Sequence, residues 1–202
     1  MPRYWTLQDP VDLEGEKIKG SRFWAFAVPV ETEAAAKAFV DGLRQQHKGA
    51  SHACYAWRLG LEEVAQSRAN DDGEPGGTAG RPILREVEAL ELRNVCVVVL
   101  RWFGGTKLGT GGLARAYGGA ARALLEQAPT RELRVTQDVR VRFAYPDTAL
   151  VEGVLREQAL SASAADYGAD VRLTVPVPPE DLPQLERALR EATAGRVELE
   201  HD

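Results

Sequence analysis

Seven glycines fall between Arg101 and Leu125 in the stretch "RWFGGTKLGTGGLARAYGGAARALL": Gly104, Gly105, Gly109, Gly111, Gly112, Gly118 and Gly119. They sit where an apolar run gives way to helical spacing. At such a junction the first backbone N–H groups of the helix have no internal partner, and the helix dipole adds partial positive charge. Glycine lets an anion come close to those amides. The side chains agree with that chemistry. From residue 92 to residue 125 there is no carboxylate, while Arg93, Arg101, Lys107, Arg115 and Arg122 all fall in the window. One reading is an anion site for phosphate or a nucleic-acid backbone, formed by Gly109, Gly111 and Gly112 with Arg101, Lys107 and Arg115. The other is that the glycines serve tight turns and helix packing, and Gly118–Gly119 point to another backbone lying very close.

Upstream, "NDDGEPGGTAGRPIL" puts Asp71, Asp72 and Glu74 within four residues. Such carboxylates could hold Mg²⁺, pair with the arginines of the glycine block, or form a solvated turn around Asp72–Gly73. Thr78, Gly80, Arg81 and Pro82 mark the start of the next helix. His52 and Cys54 share one face of a strand. They read as a buried thiol beside a satisfied histidine rather than as a catalytic pair. Established phosphate motifs fit poorly. "GGTKLGTGG" is not G-x-x-x-x-G-K-S/T. "GTGGLA" matches the loose dinucleotide pattern, but the acid expected after the next strand is missing.

The elements that must position these residues follow from periodicity. Residues 18–30 read as a strand, and residues 32–47 as a helix capped by Thr32 with Ala36, Phe39, Val40 and Leu43 inward. Residues 51–60 read as a strand, residues 61–79 as a long loop, and residues 81–92 as a helix opened by Pro82. Residues 93–103 form a strand apolar enough to be covered on both faces, and a helix runs from residue 112. After Pro129 the chain alternates and then repeats: strand, helix capped by Asp147, two strands turning near Tyr167–Gly168, helix, strand. That β-α-β-β-α-β order is ferredoxin-like. Charge shifts at the same place. Residues 1–134 carry 18 basic and 17 acidic side chains, residues 135–202 carry 7 and 13. An α+β fold of two domains, 1–133 and 134–202, is expected. Two cysteines make no disulfide framework. The first residues lack a secretory pattern, and the longest aliphatic run, Val95–Leu100, is far short of the ~20 residues of a membrane helix. A cytoplasmic protein with no membrane partner is expected.

The blocks "KGSRF", "SHACYAWRLG", "DDGEPGGTAGRPIL" and "RWFGGTKLGTGGLARAYGGA", in this order over about residues 15–125, resemble the IMPACT family in its bacterial, YigZ-type form. The resemblance implies an N-terminal fold similar to the second domain of a small-subunit ribosomal protein and to domain IV of elongation factor G. It implies a C-terminal domain similar to domain V of that factor. Eukaryotic members are translational regulators with an added RWD domain, and their partner is not transferred to this chain. The resemblance brings no catalytic residues, no metal and no cofactor.

The expected function is RNA or ribosome binding linked to translation. Arg81, Arg101, Lys107 and Arg115 would meet phosphates on the Gly109–Gly112 amides, with Trp102 or Tyr117 stacking bases. Asp71, Asp72, Glu74 and Thr78 would support the opposing loop. The alternative is a nucleotide or phosphate-ester enzyme using the same glycine loop, with the carboxylates holding Mg²⁺.

Overall fold

The computed structural model describes residues 3–60 and 66–201. They form a mixed α and β structure in two compact units, one of Tyr4–Leu133 and one in which Arg3 joins residues 134–201.

In the first unit, β1 (Arg3–Leu7) pairs with β7 (Thr130–Arg134) in a small two-stranded sheet. The main sheet holds β2 (Val11–Glu14), β3 (Arg22–Pro29), β4 (His52–Leu59), β5 (Gln66–Asn70) and β6 (Val95–Trp102), in the order β2-β3-β6-β4-β5. All of its pairings are antiparallel. Three helices cover it: α1 (Glu33–Gln46), α2 (Gly80–Ala89) and α3 (Thr110–Leu125). The central strand β6 alternates between two cores. Val95, Val97 and Val99 pack with Ile83 and Val87 of α2 and Leu113, Tyr117 and Ala121 of α3. Cys96, Val98 and Leu100 pack with Ala36, Val40 and Leu43 of α1. Burial on both faces is what the unbroken apolar run requires.

Local signals explain several boundaries. Thr32 caps α1, its hydroxyl accepting from the Ala35 amide at 3.1 Å. The loop expected over residues 61–79 is corrected in part. Residues 66–70 pair with β4 as an edge strand, although "QSRAN" has no apolar alternation; residues 61–65 lie outside the described ones. The close approach expected at Gly118–Gly119 is also corrected. A methyl at Gly118 would meet Pro82 at an ordinary 3.5 Å, and one at Gly119 would meet nothing within 4 Å.

The second unit runs β8 (Gln137–Phe143), α4 (Thr148–Glu157), β9 (Ala164–Tyr167), β10 (Val171–Val177), α5 (Leu182–Ala192) and β11 (Glu198–His201). Its antiparallel sheet has the order β11-β8-β10-β9. Val139, Val141, Phe143, Leu173 and Val175 point to one core with Val151, Leu155, Leu185 and Leu189 of the helices. The alternate residues Arg140, Arg142 and Arg172 are exposed. Asp147 does not cap α4 through its side chain. Instead it is buried and accepts two bonds from Arg196, at 2.6 and 3.1 Å. The guanidinium beside it holds its carboxyl below the usual carboxylate range.

Candidate functional site

The family-like blocks meet at one end of the five-stranded sheet, where β3 and β4 begin and β6 ends. The register fixes this: Arg22 lies opposite Trp102 and His52 opposite Arg101. Here the chain before β3 touches the loop after β6, backbone on backbone. A Cβ added at Gly104 would lie 1.9 Å from the Gly20 carbonyl carbon, and Gly20 itself has φ +82°. Only glycine fits both positions. The Ser21 hydroxyl completes the seam, accepting from the Gly104 amide and from Arg101 Nη2, each at 3.2 Å.

The acidic loop is folded inward by its own carboxylates. Asp71 accepts the amides of Gly77 at 2.8 Å and of Ala79 and Gly80 at 2.9 Å, which fills the N-terminus of α2 with an internal anion. Burial alone would raise the Asp71 carboxyl. The three amides and the charge of Arg81 outweigh it and hold the group below its ordinary value. Asp72 accepts from the Ala53 amide and from Arg44 Nη2, each at 2.6 Å. Its carbonyl accepts from His52 Nδ1 at 2.8 Å, which places that ring's proton on Nδ1. Thr78 is buried and donates to the Pro75 carbonyl at 2.6 Å.

Glu74 lies at the centre. Its Oε1 accepts from Arg101 Nη1 at 2.6 Å and from the Tyr117 hydroxyl at 2.7 Å, and His52 Nε2 is 3.8 Å away. The Glu74 and Arg101 side chains are each only 5% exposed. Arg101 is therefore corrected as a phosphate contact, because its guanidinium is enclosed and engaged by Glu74 and Ser21. Tyr117 is corrected as a stacking ring. It is fully buried, edge-on to Phe23, and burial pushes its hydroxyl up. Cys54 is buried too and donates to the Asp71 carbonyl at 3.0 Å. Burial raises both thiols, Cys96 to about 12. His52 is thus held through Nδ1 beside a buried thiol. The carboxylates offered for Mg²⁺ are engaged by amides and arginines. Among the described residues no group of three or more His, Cys, Asp or Glu side chains could hold a metal ion.

The glycine loop presents the opposite situation. Gly109, with φ +73°, precedes α3, and no side chain caps the helix and no acid lies in its first turn. The Leu113 amide closes the first turn on the Gly109 carbonyl at 2.9 Å. The amides before it have no partner inside the helix. A Cβ added at Gly109 or Gly111 would meet nothing within 4 Å, and one at Gly112 would meet only Leu108, at 3.1 Å. Lys107 and Arg115 are exposed, and neither has an ion pair among the described residues. Arg115 follows Gly111 by four positions, on the same helical face. Arg81 is exposed on the first turn of α2, its stem 3.9 Å from where a Gly77 Cβ would lie, beside Asp71. The structure therefore groups Lys107, Gly109, Gly111, Gly112 and Arg115 at one uncapped helix end. It engages Asp71, Asp72, Glu74, Thr78 and Arg101 within the fold, with Glu74, Thr78 and Arg101 buried and Asp71 and Asp72 half-buried.

Residue patterns alone did not single out Ser21, the Gly20–Gly104 contact or the Tyr117 bond to Glu74. The "KGSRF" block, with Gly104 in the glycine stretch, was the trace of the first two. A half-buried shelf of Trp24, Phe26, His47 and Trp102 beside β3 was also missed, because its rings come from three segments.

A profile described as the Impact N-terminal domain matches residues 19–125, which contain this whole site. The chain belongs to the IMPACT family. A second profile, a domain of unknown function (DUF1949), matches residues 141–196. An IMPACT family member of Thermus thermophilus is 42% identical over 185 residues, covering 91% of this chain and 99% of its own. The IMPACT family member YigZ of Escherichia coli is 34% identical, covering 91% of each. The IMPACT homolog of Saccharomyces cerevisiae is 36% identical over 107 residues, covering 52% of this chain and 40% of its own. A crystal structure of a hypothetical protein, 33% identical, superposes with a TM-score of 0.79 over 98% of this chain and 97% of that one. None of the described helices is long and apolar enough to cross a membrane.

Proposed function

We propose that this IMPACT family member is a cytoplasmic RNA- or ribosome-binding regulator linked to translation. One observation carries the reading: the N-terminus of α3 is left open, without a side-chain cap or an acid in its first turn, between Lys107 and Arg115, two exposed cations with no ion pair among the described residues. An RNA phosphate satisfies free amides and both cations together. The acids nearby are already engaged: Glu74 is buried on Arg101, and the half-buried Asp71 and Asp72 accept from backbone amides and from Arg44. In this reading the domain of residues 1–133 carries the site on a scaffold like domain IV of elongation factor G. Residues 134–202 form a ferredoxin-like accessory domain. Arg81 serves at the edge of the same surface, and the site works by binding, without a cofactor.

The test is RNA affinity against salt for the full chain and for the double variant Lys107→Ala/Arg115→Ala. Losing two phosphate contacts lowers affinity and reduces the slope of log K against log salt by about 1.4 for single strands. An unchanged affinity and slope would overturn the reading.

A further inference from the structure

Cations alone attract any polyanion, yet this end of the sheet also carries flat surfaces. Phe103, the first residue of the glycine loop, is 50% exposed. Its position is fixed. The Phe103 amide donates to Ser51 Oγ at 3.0 Å, and its ring lies over the buried Arg101, with Cζ 5.3 Å from the ring centre. One side of the ring covers that guanidinium, and the exposed half of the residue is left to solvent. On the adjoining strand end, the Arg22 guanidinium lies 3.9 Å over the Trp102 ring, with its side chain 36% exposed.

The surrounding charge suits phosphate. Lys19, Lys48 and Lys107 are exposed and have no ion pair among the described residues. Against them, Glu14 is paired with Arg22 at 3.4 Å, and Glu16 is the acid there without a partner among the described residues.

We infer that this end of the sheet selects unpaired RNA, with one base stacked on Phe103 and another on the Arg22–Trp102 stack on the other face of the strand end. The lysines hold the backbone between them. Aromatic rings and arginine planes accept any base by its π-face, whereas the faces of paired bases are closed within a duplex. The inference rests on the RNA reading above and adds the kind of RNA. It stands on the exposed ring and the arginine–tryptophan stack, not on the open helix end.

The experiment uses the full chain with three probes: an oligouridine of about 12 nucleotides, a duplex RNA of similar phosphate count, and poly-glutamate. The variant is Phe103→Leu, which keeps an apolar cover over Arg101 but removes the π-face. We expect the single strand to bind more tightly than the duplex and to quench tryptophan emission through Trp102. Phe103→Leu should weaken the single strand by about 5- to 100-fold and leave the duplex unchanged. Phe103→Trp should restore the preference. Equal binding of strand and duplex, or of RNA and poly-glutamate, overturns the stacking inference. So does a Phe103→Leu variant that binds both RNAs as the parent does. In each of those cases loss of RNA binding in Lys107→Ala/Arg115→Ala would still support the broader reading. A parent chain that binds neither RNA overturns both.

Discussion

Two glycines of the same block should respond to alanine with opposite signs. At Gly104 the new Cβ would lie 1.9 Å from the Gly20 carbonyl carbon, 2.2 Å from its oxygen and 2.3 Å from the Ser21 nitrogen, against 3.4 Å or more for ordinary contact. All three atoms are backbone, so no side chain can swing aside. The two segments must part by more than an ångström. That breaks the bonds from the Gly104 amide and Arg101 Nη2 to Ser21 Oγ. Two lost hydrogen bonds cost about 1 kcal/mol each, and overpacking a further 1–3 kcal/mol, so Gly104→Ala should destabilise by about 3–5 kcal/mol. At Gly119, inside α3, a Cβ meets nothing within 4 Å. There alanine should stabilise by up to about 1 kcal/mol through helix propensity alone. Urea unfolding followed by tryptophan emission is the assay, because Trp5, Trp24, Trp57 and Trp102 all lie in the Tyr4–Leu133 unit. A Gly104→Ala cost below about 1 kcal/mol, or a destabilised Gly119→Ala, would refute the reasoning.

Other outcomes follow from the buried network. Glu74→Gln leaves the enclosed Arg101 charge without its counterion and should cost about 3–5 kcal/mol, seen as a fall of roughly 6–20 °C in the Tm of the emission-detected transition. Asp71 has a carboxyl held below its unfolded value of 3.8, so its contribution is present above that pH and fades as the pH falls through the lower, folded value. Asp71→Asn should therefore lose stability at neutral pH, and its stability should fall less steeply than the parent's in urea titrations taken below about pH 4. Burial and raised pKa make both thiols inert, so Cys54 and Cys96 should resist alkylation at about pH 8 until the chain is unfolded. Gly111→Ala, with space around its Cβ as open as at Gly119, should not lower the unfolding midpoint but should weaken RNA binding, because its methyl enters the space a phosphate would occupy.

What was legible in the sequence was whatever a short window decides. The apolar run of β6, the Thr32 cap and the α1 face are local patterns, and local physics fixes them. Edge strand β5 was not legible, because "QSRAN" becomes a strand only through the ladder that β4 supplies. Asp147 looked like a cap from its position before α4. Its partner is Arg196, 49 residues on, and no window could join the two. The open end of α3 was visible, since an uncapped glycine start with no nearby acid is itself a local feature.

Charge shows most clearly where local reading stops. The carboxylate-free window around the glycine loop made five cations look available to an anion. Arg101 is enclosed by Glu74, a residue 27 positions away, and Arg122 pairs with Glu126, just beyond the window. The three nearby carboxylates, for which pairing with the arginines of the glycine block was one reading, are engaged by backbone amides, Arg44 and, at Glu74, Arg101. Burying one cation with one acid leaves the net charge untouched but changes which charges a ligand meets. The surface that remains at the open helix end is therefore set by Lys107 and Arg115. A variant of Arg101 would report on stability before it reported on any ligand. Variants of the two exposed cations, and Gly111→Ala at the open helix end, separate the anion reading from the scaffold that carries it.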